Sequence, residues 1–233
     1  MQVDIITAFP GLIASAFEES IIKIARKKGL LHINIHNLRD WAEDKHRTID
    51  DIPYGGGAGM IFKVEPLYNC LNEILSKAGH DKQEIIMTSP RGEVLTQKTV
   101  VSFAVMQHLV VICGRYKGVD QRITEFFPIR EVSIGDYVLS GGEPAAVVLI
   151  DTVARLLPGV LHDIDSAWTD SFEEFLLDCD YYTKPREFKG ISVPEVLISG
   201  NHEQIGLWRQ ANKEENTRKR RPTLYKQYIK HIK

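Results

Sequence analysis

The sequence predicts an α/β fold with a mainly parallel sheet, followed by a smaller helical domain. Three observations carry this reading. Short runs with strand character recur at Val3–Thr7, Leu31–His36, Glu84–Thr88, Leu109–Cys113 and Ile129–Ile134. Runs with helical spacing separate most of them, and such alternation lays strands in parallel through helical crossovers. Near Gly159 the pattern changes, and Pro185, Pro194 and Pro222 break up a remainder of helical character.

Taken in order, Val3–Thr7 reads as a buried strand. Leu12 to Lys28 places Leu12, Ile13, Ala16, Phe17, Ile21, Ile24 and Ala25 at helical intervals and stops at Gly29. Leu31–His36 alternates as a strand does. The polar stretch from Leu38 to Met60 ends in Tyr54-Gly55-Gly56-Gly57-Ala58-Gly59-Met60 and is too long for a mere connector. A helix over Val64–Lys77 precedes the strand Glu84–Thr88, which Ser89-Pro90-Arg91-Gly92 closes. A helix over Thr96–Met106 leads to the strand Leu109–Cys113, ending at Gly114-Arg115-Tyr116-Lys117-Gly118. A short helix, Val119–Phe127, the strand Ile129–Ile134 and a helix over Ala145–Leu157 complete an α/β domain of residues 1–159. Residues 160–170 lack periodicity and read as a flexible linker. The helical domain, 171–233, opens on Ser171-x-x-Glu174, the pattern of a capping box.

With 43% hydrophobic and 26% charged residues in 233, the composition is that of a globular domain. No apolar run approaches the ~18 residues that cross a bilayer. The start reads directly as a strand and lacks a basic leader. Cys70, Cys113 and Cys179 lie far apart, which implies a reducing, cytoplasmic setting and no zinc site. A formal charge of −2 hides an asymmetry: residues 161–180 hold seven acids and no Lys or Arg, and residues 216–233 hold seven Lys or Arg and no acid.

The chain is organised around Ser133-Ile134-Gly135-Asp136-Tyr137-Val138-Leu139-Ser140-Gly141-Gly142-Glu143-Pro144. Its glycines permit positive φ and close approach to a ligand. Its apolar middle suits an adenine ring better than a phosphate chain. Gly55–Gly59 matches neither a P-loop nor a dinucleotide fingerprint. The loops at Thr88-Ser89-Pro90, Gly114-Arg115-Tyr116 and Gly135–Gly142 all follow strands, where open α/β sheets bind ligands, and so point to one shared site. Asp170 reads either as a helix N-cap or as a base whose pKa neighbouring acids raise. Arg155 reads as a helix-surface partner of Asp151. The tail Arg218-Lys219-Arg220-Arg221, with Tyr225 and Tyr228, is either a solvated face or a nucleic-acid contact.

Together, Arg47 to Met60, Cys113 to Asp120, Ser133 to Glu143, Leu176 to Pro185 and Val196 to His202 resemble the bacterial tRNA (guanine-N1)-methyltransferases of the SPOUT superfamily, over nearly the full length. The resemblance implies a trefoil-knotted α/β domain, an obligate homodimer with active sites at the subunit interface, and S-adenosylmethionine held in a bent form. It implies methylation of N1 of the guanine at position 37 of tRNA, with no DNA or membrane partner. Ser89, Pro90, Gly114, Ile134, Gly135, Tyr137, Val138, Leu139, Gly141 and Gly142 match the family's cofactor contacts; Asp170 matches its general base and Arg155 its electrophilic partner. Asp50 and the tail Arg218, Lys219, Arg220 and Arg221 are then the expected RNA contacts. At Lys117 the family usually has a Glu associated with its magnesium dependence; a lysine removes a hard-cation ligand. The metal is left unassigned. Methylation of another RNA guanine, or a non-catalytic RNA-binding homologue, are the alternatives.

Overall fold

A computed structural model describes residues 1–161 and 170–232. The chain divides into two compact units, Met1–His162 and Asp163–Lys233. The linker expected at 160–170 lies for the most part outside the described residues. Val160 does not behave as a linker residue: it is buried in the core of the first unit.

The first unit contains β1 (Gln2–Thr7), α1 (Ser20–Lys27), β2 (His32–Asn37), β3 (Asp50–Asp51), β4 (Ile61–Phe62), α2 (Val64–Ala78), β5 (Gln83–Val94), α3 (Gln97–Ala104), β6 (His108–Cys113), α4 (Ile123–Phe126), β7 (Ile129–Ser133) and α5 (Glu143–Leu156). The main sheet runs β2-β1-β6-β5-β7, and every pairing in it is parallel. β3, inside the long polar stretch, forms a small antiparallel pair with β4, which directly follows that stretch.

Because helices cover both faces, the central strands read as unbroken apolar runs rather than alternating ones; all six residues of β6 are buried. On one face Val3, Ile5, Ile86, Leu109 and Val111 meet Ile22 and Ala25 of α1, Val100 and Phe103 of α3, and Leu149, Ile150 and Val153 of α5. On the other, Ile6, Ile85, Met87, Val110 and Ile112 meet Leu67, Leu71 and Ile74 of α2 and Ile123 of α4. Each such Leu, Ile or Val stabilises the fold by roughly 1.5–3 kcal/mol relative to exposure. One charged group interrupts the second face. Asp4, 2% exposed, accepts hydrogen bonds from His108 Nε2 at 2.7 Å and His36 Nε2 at 2.6 Å, and from Asn34 and Gln2. Burial opposes its charge, but these hydrogen bonds prevail and hold the carboxyl far below the usual carboxylate range.

Two elements differ from the sequence expectation here. The helix expected from Leu12 to Lys28 is two 3₁₀ turns, Pro10–Leu12 and Ala14–Glu18, before α1. Glu19 is extended and Ser20 takes φ +55, which a continuous helix cannot contain. Leu12 and Ile24 consequently face solvent. Strand β5 does not close at Thr88 but continues through Pro90 to Val94, with a register shift between Thr88 and Glu93 against β7.

The second unit holds β8 (Glu187–Phe188), β9 (Ile191–Ser192), α6 (Glu195–Ile198), α7 (His202–Arg220) and α8 (Pro222–His231). The β8–β9 hairpin was not expected. Nor does Ser171 form a capping box: its hydroxyl accepts the Asp178 N–H at 3.0 Å, and Phe172, Glu174 and Phe175 all take positive φ. The segment after it is sewn to α7. Thr217 Oγ1 accepts the Leu177 N–H at 2.8 Å, Asn212 Oδ1 accepts the Asp180 N–H at 2.6 Å, and Lys213 pairs with Asp178 at 3.2 Å. Asn201 caps α7 by accepting the Gln204 N–H.

Candidate active site

Three loops leave the carboxyl ends of β5, β6 and β7, and they are stitched together rather than merely adjacent. The Gly142 N–H donates to Gly114 O at 2.7 Å. The Gly114 N–H donates to Thr88 Oγ1 at 3.3 Å, whose own hydrogen goes to Ile112 O at 3.2 Å. Arg115 and Gly141 form an isolated antiparallel bridge. Glycine at 142 is required by space, not by φ: a Cβ there would stand 1.9 Å from Thr88 Oγ1 and 2.8 Å from Gly114 N. Of the three glycines in this loop only Gly135 has a positive φ, +146. Ser133 braces the turn around it, donating to Gly135 O at 3.0 Å and accepting the Gly135 N–H at 3.2 Å. The turn presents Tyr137, Val138 and Leu139 outward, and Val138 is 84% exposed.

These loops line a pocket that opens to solvent at the carboxyl ends of the strands. All ten residues that the sequence matched to cofactor contacts line it. So do Thr88, Arg115 and Tyr116 of the loops read as one shared site, and Lys117, where the family usually has a Glu; Arg91 and Val119 line it too, and the sequence reading left those two without a role there. Apolar walls from Met87, Val132, Val138 and Leu139 stand beside backbone and hydroxyl groups, which fit an adenine nucleoside, and beside the cations Arg91, Arg115 and Lys117.

Behind the pocket lies a buried polar chain. Thr7 donates its hydroxyl hydrogen to Glu143 Oε1 at 2.8 Å, and Glu143 Oε2 stands 3.6 Å from Arg115 Nη1. Arg115 in turn lies over the Phe9 ring, 4.0 Å from its centroid. Glu143 is in the first turn of α5, where the helix dipole favours an acid. Asp50 is tied to the same wall, accepting the Tyr116 hydroxyl; burial, then the Asp50 charge, raises the Tyr116 pKa above the ordinary tyrosine value. Burial also pushes the Cys113 thiol far up, so it stays protonated and is no nucleophile.

The remaining expected site residues lie elsewhere. Arg155 is exposed in the last turn of α5 and is not among the described residues lining the pocket; Asp170 is half-buried in the second unit. In the tail, Lys219 pairs with Glu215 at 2.8 Å, and Arg218 pairs with the same carboxylate. Arg221 lies 5.9 Å from the Phe172 ring centroid. Among the described residues no three His, Cys, Asp or Glu side chains are placed to hold a metal ion. With Lys117 at the pocket wall, these residues do not offer a magnesium cage.

A parallel α/β sheet whose stitched strand-end loops close an apolar, backbone-lined pocket defines a nucleoside-binding α/β domain. More particularly, the chain belongs to the family described as tRNA (Guanine-1)-methyltransferase TrmD, whose sequence profile matches residues 1–227. It is 49% identical over 224 residues to the tRNA (guanine-N(1)-)-methyltransferase of Flavobacterium psychrophilum, covering 96% of this chain and 99% of that protein. The proteins of the same name from Bacteroides fragilis (48%, 96% of this chain and 99% of that protein) and Geotalea uraniireducens (47%, 96% and 90%) are similar over the same length.

Proposed function

We propose that the protein transfers a methyl group from S-adenosylmethionine to N1 of the guanine at position 37 of tRNA. The observation that carries this reading is the convergence of all ten residues matched to cofactor contacts on one pocket in a chain of this family. Bound S-adenosylmethionine supplies an electrophilic methyl group. Guanine N1 carries a proton at neutral pH, so a base must remove it before the N1 lone pair can attack. Asp170 Oδ takes that proton, and the Arg155 guanidinium stabilises the negative charge that develops on O6. The target base turns out of the anticodon stack to enter the site.

The family resemblance supports a homodimer in which the two copies complete each site, with Arg155, which lies outside the pocket of its own domain, meeting the substrate there. Residues 1–159 then form the cofactor-binding domain and 171–233 the tRNA-binding domain, with the Gly135–Gly142 loop part of a trefoil knot. Asp50 and the basic tail contact RNA, and the setting is the cytoplasm. No helix among the described residues is long and apolar enough to cross a membrane.

The test is mass analysis of nucleosides from tRNA incubated with the protein and S-adenosylmethionine. The expected product is 1-methylguanosine, absent when guanine 37 is replaced. Methylation at another position overturns the reading. Asp170→Asn should keep S-adenosylmethionine affinity while losing at least ~10²-fold in single-turnover rate; a parallel loss of affinity would assign Asp170 to binding.

A further inference from the structure

Three cationic side chains line the pocket, and two of them are already neutralised. Arg91 pairs with Glu131 at 3.0 Å and Arg115 with Glu143 at 3.6 Å. The third, Lys117, has neither an ion pair nor a side-chain hydrogen bond among the described residues. Its position is nevertheless well defined. The Lys117 N–H donates to Met60 O at 3.0 Å, and two residues on, Val119 bridges Phe62 of β4. The side-chain stem then runs along Gly59: a Cβ at that glycine would lie 2.9 Å from Lys117 Cγ and 3.3 Å from Cε. Gly59, at φ +101, is thus a glycine on two counts, its own turn and the room it leaves for the lysine. A stem laid in a groove has less rotamer freedom left to lose on binding.

Lys117 is exposed, so water solvates its ammonium when the pocket is empty, and that ammonium is available to an anionic group of a ligand bound there. The ligand of the proposed reaction carries a positive sulfonium, which an adjacent cation repels, and a carboxylate at its amino-acid end, which attracts it. Of the two, only contact with the carboxylate is attractive. Resting on the functional reading above, we propose that Lys117 is a specificity-determining residue whose ammonium binds the carboxylate of the amino-acid end of S-adenosylmethionine.

Calorimetric titration of the full-length protein without tRNA tests this, using S-adenosylmethionine and its decarboxylated analogue. The two differ only in the carboxylate; both keep the ammonium and the sulfonium. Wild type should bind S-adenosylmethionine about tenfold more tightly than the analogue, the discrimination expected of one charge-assisted hydrogen bond. Lys117→Gln should weaken S-adenosylmethionine about tenfold and leave the analogue within about twofold, while Lys117→Arg should retain the preference. Equal weakening of both ligands by Lys117→Gln, or no weakening of either, overturns the assignment. If cofactor discrimination is unchanged but the salt dependence of tRNA binding falls by about one unit, the ammonium serves an RNA phosphate and the assignment is likewise overturned. Wild type failing to bind S-adenosylmethionine at all overturns the functional reading and this assignment with it, whereas retained binding without discrimination overturns this assignment alone.

Discussion

Thr7 and Glu143, 136 residues apart in sequence, share a buried hydrogen bond of 2.8 Å that joins the end of the first strand to the start of α5. Through Arg115 the same carboxylate reaches the loop that forms the pocket's wall. Glu143→Ala would strand a largely buried guanidinium and the Thr7 hydroxyl together, and should cost roughly 3–5 kcal/mol, the range for breaking one side of a buried ion pair. Glu143→Gln keeps an acceptor for Thr7 and should cost less. Urea denaturation of both variants checks the order; equal losses would mean that the Thr7 bond contributes nothing and only the charge counts.

Two glycines should respond oppositely to the same substitution. Gly142→Ala places a methyl 1.9 Å from Thr88 Oγ1 and 3.0 Å from Cys113 Cα, backbone that cannot yield. It should destabilise by about 3 kcal/mol or more and abolish ligand binding. Gly206, inside α7, has open space where a methyl would go, with nothing within 4 Å. Gly206→Ala should raise stability by roughly 0.5–1 kcal/mol, since alanine loses less backbone freedom in a helix. Thermal melts of both variants separate the steric from the entropic effect.

Asp4 links stability to acid pH. Its carboxyl is held below the ordinary aspartate value in the folded state, so folding favours the charged form. The stability it contributes is present above the unfolded-state pKa, about 4, and is lost as pH falls through the lower folded value. Asp4→Asn should therefore destabilise the protein at pH 7 by roughly 2–3 kcal/mol and flatten the loss of stability below about pH 4. A variant whose stability falls with acid as steeply as the wild type would place that dependence on other carboxylates.

The basic tail should not act as four equal charges. Glu215 is held below its usual pKa by hydrogen bonds from Lys219 and Arg218, which are thereby partly neutralised. Replacing Arg220 and Arg221 with Gln should flatten the salt dependence of tRNA binding by roughly 1.5 units, at about 0.7–0.9 for each phosphate no longer neutralised. Replacing Arg218 and Lys219 should flatten it less. Identical slopes for the two pairs would show that Glu215 releases its partners when RNA binds.

The parallel sheet was legible because its strands are short apolar runs spaced by helical ones. That three loops share one pocket was legible because each of them follows such a run. What escaped reading depended on interactions between distant residues. Nothing local distinguishes Glu143 from an ordinary first-turn acid, since its partners are Thr7 and Arg115. Leu12 to Lys28 has helical spacing throughout, yet Ser20 at φ +55 divides it. Ser171 and Glu174 have the spacing of a capping box, but the Asp178 N–H claims the serine. Arg155 and Asp170 stand out through family resemblance alone, because periodicity makes one a surface arginine and the other a cap.

The strand order has a consequence for how a ribosome must deliver this chain. β1 lies between β2 and β6, in register with His32 on one side and His108 on the other. The first partner emerges early, so β1, α1 and β2 can assemble as a right-handed crossover while synthesis continues. The second arrives about 75 residues after the first, roughly 4–15 s at 5–20 residues per second. For that interval Val3, Ile5 and Ile6 sit on an open strand edge, the kind that recruits neighbouring chains. Nascent chains stalled before Cys113 are therefore the ones that should need a chaperone.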